Sequence, residues 1–463
     1  MPDAVLAVTA AAAALAVLTA AALLLRGIPR VLVLAQVAYW ALSYVLRPAV
    51  LLWVQPVPTY GDDVADPRLY SIGYPHGIAE AMQPVVYGLW LYALLALGYA
   101  CRARGRPPRP PVRTDPDLVA TLVVVWVVGC AGRAAAYLTG SVGGAGDVTS
   151  ANPVLDLVAS LAGIGGAGLI LFLRPATPSR AAVVIGGLLA VELGWAIASE
   201  SKSPVMAAAL AVAIRFALLG WSRRRTWGVL GLAAGGIAGF GWLQSFKLSG
   251  DAAAAAAEVD SRYPGVVRPF LPIVRRFDLL QAATDAYYMS GRTWLTPGQV
   301  VTAMAQSFVP SGVLGGEKLH SGTAWAFQVR GSSVDMRSVS VALADGSINE
   351  GQVLGGLPGV TVGALFTFGL LLLAVRWLHS RHVVAISLGI IVTTSPILDE
   401  RGILGSTEVV GKGLQAAVVV WVVAVVVTRL RRRARPGPSG PPPPPPPADV
   451  RAPRSDPKVV STT

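Results

Sequence analysis

One polar stretch, Lys247–Leu354, gathers most of the side chains able to do chemistry: Arg262, Arg268, Arg275, Arg276, Asp278, Arg292, Lys318, His320 and Glu350. Guanidinium and ammonium groups in such numbers suit phosphate or carboxylate ligands, which they hold through charge-assisted hydrogen bonds. The carboxylates and the histidine add proton acceptors. The stretch carries nine Lys/Arg and nine Asp/Glu and is neutral. The net charge of +13 therefore lies elsewhere, in short turns and the tail. That distribution excludes a nucleic-acid surface and fits membrane topology.

Outside the stretch, Arg47, Arg133 and Glu192 interrupt apolar runs. Each falls one or two turns from the outer end of its run, roughly 8–12 Å deep at 1.5 Å per residue. Ionisable groups at such depth face a cavity or one another. They could line a polar hollow for an anionic headgroup, or Glu192 could neutralise Arg133 or Arg47. Arg215 lies deeper and is expected to snorkel toward the cytoplasmic face. In Ser199-Glu200-Ser201-Lys202-Ser203-Pro204, Ser203 and Pro204 suit a helix start, whose free N–H groups beside Lys202 would form an anion site or simply a capped turn. Asp62, Asp63 and Asp66 near His76 could bind a cation or act as a base, against the alternative of a solvated acidic turn.

These residues need a scaffold, and composition identifies it. Hydrophobic residues make up 54% of the 463, only 14% are charged, and the mean hydropathy is +0.58. Soluble chains carry about 25% charge. Here the deficit is concentrated in runs of about 17–25 residues, the length of a membrane-crossing helix. The fold class is an all-α polytopic membrane protein; a membrane β-barrel is excluded by the uninterrupted runs. About eleven transmembrane helices are expected, near 4–25, 31–53, 79–101, 117–138, 153–173, 181–198, 204–220, 228–246, 356–376, 383–398 and 413–429. The first is read as a retained span, because Asp3 precedes it and Arg26 and Arg30 follow. Nineteen arginines fall in alternate gaps and the tail, against Arg68, Lys202, Arg401 and Lys412 in the short gaps of the other side. The positive-inside rule then puts the N-terminus outside, the C-terminus in the cytoplasm and the large loop outside.

Four regions result: 1–246 with eight spans, the extracytoplasmic loop 247–354, 355–433 with three spans, and a Pro-rich cytoplasmic tail, 434–463, read as disordered. Within the loop, the alanines of Asp251–Glu258 favour a helix, and Leu271, Val274, Phe277 and Leu280 mark one interfacial helix over 270–288. The segment 311–350 reads as irregular with short helices. Cys101 and Cys130 imply no disulfide framework. No Walker A loop, no GxGxxG followed by an acidic residue, no HExxH and no GxSxG occurs, so nothing indicates a nucleotide-driven machine, zinc or serine-hydrolase chemistry.

Four stretches together resemble the bacterial oligosaccharide repeat-unit polymerases, the O-antigen polymerase (Wzy-like) family. They are YGLWLYALLALGY (Tyr87–Tyr99), SESKSPVMAAALAVAI (from Ser199), Arg276-Phe277-Asp278-Leu279-Leu280, and Glu350 leading into Gly356 and Gly359-Val360. Lys202 replaces the arginine more usual at the second. Phe308-Val309-Pro310 is followed by Ser311, and Lys318 by Leu319, where the family has Pro-Arg and Lys-Pro. The resemblance implies a GT-C-like polymerase/ligase architecture and transfer of a glycan from a polyprenyl pyrophosphate carrier to a new lipid-linked repeat unit, on the outer face of the cytoplasmic membrane. It implies no cofactor and no metal. The partners are the polyprenyl-pyrophosphate-linked oligosaccharide and membrane lipid, with chain-length regulator or flippase proteins as protein partners.

On that reading cations stabilise the leaving pyrophosphate. Lys202 and Arg276 take this role, with Arg275 next and Arg133 and Arg47 lining the hollow. Glu350 accepts from the attacking hydroxyl, with Asp278 and His320 in reserve; Asp278 could instead only position Arg275. Competing readings are an O-antigen-ligase-type enzyme, a polyprenyl-phosphate-sugar glycosyltransferase using Asp62 and Asp63, and a polysaccharide or lipid transporter.

Overall fold

The structure is a computed structural model. It describes residues 1–59, 62–104, 115–142, 152–199, 203–220, 257–310, 318–336 and 343–434, together with 201, 222, 227, 228 and 231. Every regular element among the described residues is helical. Among the described residues, eight helices are long and apolar enough to cross a membrane: α1 (Pro2–Leu24), α2 (Ile28–Val54), α3 (Tyr74–Arg104), α4 (Pro116–Leu138), α5 (Pro153–Phe172), α6 (Pro178–Ala198), α9 (Ser347–Leu378) and α11 (Ile403–Ala434). The shorter apolar helices α7 (Ser203–Leu219) and α10 (Val383–Thr394) occupy two more expected positions. The chain is therefore a multi-pass membrane protein. The expected span 228–246, most of the alanine run 251–258 and the tail from 435 lie outside the described residues.

Local signals set the helix starts. Pro116, Pro153 and Pro178 take the first turn, where a missing N–H costs nothing, behind the caps Asp115, Asn152 and Thr177, which each accept backbone N–H groups. The α4–α5 pair is drawn together by glycine: a Cβ on Gly129 would lie 2.0 Å from the Ala162 nitrogen, and one on Gly165 2.6 Å from that of Trp126. Small residues permit such backbone approach where lipid offers no hydrophobic drive.

Two elements depart from expectation. The last part of the polar loop is not outside the bundle. Helix α9 begins at Ser347, breaks at Gly355 and Gly356 (φ 59°), and restarts before Pro358. The limb 347–354 doubles back along the limb 357–378. A Cβ on Gly359 would fall 2.0 Å from the Gly351 oxygen and one on Gly363 2.2 Å from that of Ser347, while the Thr367 hydroxyl donates to that of Ser347 at 2.7 Å. Gly363 lies seven residues past the turn, so the returning limb reaches about 10 Å down the bundle. Glu350 goes with it. Gly356 supplies the positive φ that a side-chain-bearing residue resists.

The second departure is the helix expected over 270–288. It is two helices, Leu271–Arg276 and α8 (Leu279–Tyr288), parted at Phe277 (φ −100°, ψ 81°). The break lets the Phe277 ring meet Tyr39 edge-on at 4.8 Å and places Asp278 at the head of α8. The described loop is otherwise folded around its own small core, in which Trp294 and Trp325 cross at 5.6 Å. Met289, Val329, Val353 and Leu404 complete it and join the loop to α9 and α11.

Candidate functional site

Charged side chains meet where the loop, α2, the returning limb of α9 and the connection 395–402 come together. In α2 the sequence Leu42–Leu46 opens into a π-turn just before Pro48. Proline removes one ladder bond and its ring crowds the preceding turn, and such widened turns re-aim the side chains around them. Arg47 follows the widening and is only 1% exposed. It donates to the backbone oxygens of Asp63 (2.7 Å) and Val274 (3.3 Å), while its Nε has no partner among the described residues.

Asp278 lies among Arg47, Arg330, Arg276 and Glu400. Its carboxylate makes no hydrogen bond or ion pair among the described residues, not even the capping bond its place before α8 would allow. Burial raises its pKa, and the fields of Arg47 and Arg330 oppose the rise. Arg276 instead turns to Glu400, with contacts of 2.9–3.2 Å. Burial works against the Arg276 charge, but Glu400 outweighs it and the guanidinium is raised above its usual range. Beside Glu400, burial and the Glu400 charge push Asp399 up to about 7.

A second knot adjoins the first. Asp285 on α8 is fully buried and accepts from Arg68 (2.7 Å), Arg330 (3.0 Å) and the Trp325 indole (3.0 Å). Arg68 also holds Asp66 at 2.8 Å, and the Asp66 carboxylate caps the short helix Pro67–Ser71. Four arginines (47, 68, 276, 330) thus face four carboxylates (66, 278, 285, 400). Of these, Asp278 alone is unbridged, and one nitrogen of Arg330 is also unpartnered among the described residues.

Under this layer Glu350 is fully buried. It accepts from the Ile403 and Leu404 N–H groups, and neighbouring Asp345 accepts from Gly402 (2.7 Å) and from the Ser321 hydroxyl (2.8 Å). Both carboxyls lie at the start of α11, where free N–H groups and the helix dipole favour negative charge. Burial raises the Asp345 pKa. Next to Glu350, Asn349 ties the Tyr44 hydroxyl to the Leu279 oxygen.

The remaining expected residues are dispersed. Arg133 and Glu192 pair bidentately at 2.9 and 3.0 Å, the neutralising alternative, with Arg47 taking no part. Arg275 pairs with Asp260 at 2.5 Å, so Asp278 does not position it. His320 contacts Glu408, which also holds Lys412, on a more exposed surface. Lys202 and Glu200 lie outside the described residues, so the Lys202–Arg276 hollow has no geometry here. Arg215 does not snorkel to solvent. It is buried and donates to the Ile170 and Leu173 oxygens at the end of α5, where a helix presents unpaired carbonyls. The acidic trio is split: Asp62 receives the Tyr263 hydroxyl at 2.8 Å, Asp63 is exposed and Asp66 belongs to Arg68.

Sequence reasoning passed over Arg68, Asp285, Arg330, Asp345 and Glu400. Asp399-Glu400-Arg401, a charged triplet between apolar runs, was the legible signal for one of them. Asp285 and Arg330 sit in a stretch already rich in charge and carried none. Among the described residues no three His, Cys, Asp or Glu side chains are grouped to hold a metal ion. Compared with known proteins, the chain matches no family model, and no curated protein and no solved structure matches it.

Proposed function

We propose that the chain is a membrane glycosyltransferase that joins polyprenyl-pyrophosphate-linked oligosaccharide repeat units into a longer glycan. On this reading its fold is a GT-C-like variant, and it works without a metal on the outer face of the cytoplasmic membrane. The observation that carries the proposal is Asp278: a carboxylate set among three arginines and bridged to none of them. The hydroxyl oxygen of the acceptor sugar attacks the anomeric carbon of the donor. The bond from that carbon to the diphosphate oxygen breaks, the diphosphate leaves with the electron pair, and the hydroxyl proton passes to Asp278. A raised pKa suits a carboxylate for accepting that proton.

Arg276 is the half-buried cation the leaving group can reach, exchanging Glu400 for a phosphate oxygen. Arg47 and Arg330, each with an unpartnered nitrogen, add fixed positive charge in a site that needs no rearrangement as charge develops. Lys202 stays in the proposal on sequence grounds. Glu350, turned to α11, supports the limb that carries Asn349 and is given no proton-transfer role. The arginine asymmetry between the two ends of the bundle supports an outward-facing loop.

The test is reconstitution. Purified chain in liposomes with lipid-linked repeat units yields a ladder of glycan lengths that survives EDTA. Asp278→Asn lowers the rate by about 10²–10⁴-fold, the usual worth of a positioned proton acceptor. A ladder unchanged in Asp278→Asn, or substrate flux with no elongation, would remove the basis of the proposal.

A further inference from the structure

A cavity lies at the opposite, arginine-rich end of the bundle. It measures about 1810 Å³ and is walled by the start of α4, the turn from α9 to α10 and the last turns of α11. It is larger than the roughly 300–1,000 Å³ typical of small-molecule pockets. Its mouth carries Arg376, Arg381, Arg429 and Arg432. Among the described residues none of the four guanidinium groups makes a hydrogen bond or an ion pair, whereas their neighbour Arg431 is held by Asp117 at 2.8 Å. Asp115 also lines the cavity and accepts the Asp117 N–H, so the acids of this wall are engaged with the protein.

Helix α10 starts in the same wall. Its cap, His382, makes no side-chain capping bond, so the N–H groups of Val383, Val384 and Ala385 have no side-chain acceptor. A helix start with free N–H groups beside four unpaired arginines is an anion site built from two independent parts.

The interior of the cleft is different. Trp421 and Val425 continue the face of α11 that bears Arg429 and Arg432, and Leu118 faces them from α4. Trp421 lies eight residues from Arg429, about 12 Å further into the apolar zone, and is 51% exposed. A free anion uses only the mouth. A molecule with a charged head and long apolar chains uses both parts, and basic pockets between membrane helices suit such headgroups.

We propose that this cleft binds an anionic phospholipid of the adjoining leaflet. Its phosphate sits among the four arginines and the start of α10, and its chains lie along Trp421 and Val425. The site is separate from the Asp278 centre and does not depend on the function proposed above.

The test is native mass spectrometry of the full chain in detergent, titrated with dioleoylphosphatidylglycerol and with dioleoylphosphatidylcholine. The wild type retains the anionic lipid at least about tenfold better, given about 1 kcal/mol, or fivefold, per basic residue at the surface. The preference drops to about twofold or less in Arg376→Gln/Arg381→Gln/Arg429→Gln/Arg432→Gln, and partly in Arg429→Gln alone. Trp421→Ala weakens retention of both lipids. Arg26→Gln/Arg180→Gln, at the same end but outside the cleft, keeps the full preference. Equal retention of the two lipids by the wild type overturns the proposal. So does an equal loss in the Arg26/Arg180 variant, which would assign the effect to the general basic belt. Inorganic phosphate that competes as strongly as the lipid also overturns it, because the mouth alone would then account for binding.

Discussion

Replacing Gly359 by alanine tests the doubled-back limb on which the candidate site rests. The new methyl carbon would fall 2.0 Å from the Gly351 oxygen, where ordinary contact begins at 3.4 Å. The limbs must part by about 1.4 Å, and the obstacle is backbone, which cannot rotate aside. Overpacking of this kind costs about 1–3 kcal/mol. Parting the limbs also stretches the Thr367–Ser347 hydrogen bond, worth about 1 kcal/mol. Alanine returns about 1 kcal/mol through its better helix propensity. The net expectation is a loss of about 1–3 kcal/mol. Gly369→Ala is the internal control. It lies on the same helix with nothing within 4 Å of its missing Cβ, so only the propensity gain remains. The assay is heat unfolding in detergent at one scan rate, followed through a thiol-reactive dye on the half-buried Cys130 in a Cys101→Ser background that removes the exposed second thiol. At about 2 °C per kcal/mol for a large chain, Gly359→Ala lowers the midpoint by about 2–6 °C and Gly369→Ala raises it slightly. Elongation falls as well in Gly359→Ala, because the displaced limb carries Asn349 away from Tyr44. Indistinguishable midpoints for the two variants would refute the contact and the re-entrant path with it.

Two other predictions use the same assay. Arg133→Leu leaves Glu192 buried without its partner and is expected to cost about 3–5 kcal/mol, whereas Arg133→Leu/Glu192→Leu recovers most of the loss; additive losses would show that the two do not form one unit. The Asp399 carboxyl, raised to about 7 from an ordinary value of 3.8, binds its proton more tightly in the folded chain. Its stabilising effect is complete below about pH 4 and disappears as the pH rises through about 7. Asp399→Asn is therefore expected to raise the midpoint at pH 8 relative to wild type and to shrink the difference between pH 5 and pH 8; an unchanged pH dependence would assign the titration to another group.

Arg133 illustrates why charge pairing was illegible. From the sequence, Glu192 could have joined Arg133 or Arg47. The close approach of α4 and α5 at Gly129 and Gly165 belongs to a packing in which Arg133 meets Glu192 on α6, while the widened turn before Pro48 leaves Arg47 among the backbone oxygens of Asp63 and Val274. Arg276 and Glu400 are likewise separated by 124 positions, and nothing local to either announces the other.

The sequence alone determined that this is an all-helical, membrane-crossing chain with a folded polar insertion. Hydropathy, proline at first turns and capping residues act within one or a few helical turns, so they can be read from neighbours in the chain. Tertiary structure decided the rest. Gly355-Gly356 and Pro358 were visible as breakers, but the apolar run hid that the chain reverses there, because burial against another limb and burial in lipid select the same residues. That reversal took Glu350 out of the loop to the head of α11, and the break at Phe277 left Asp278 unbridged among arginines drawn from three distant segments. Charges find partners through space, and only the packed backbone sets those distances.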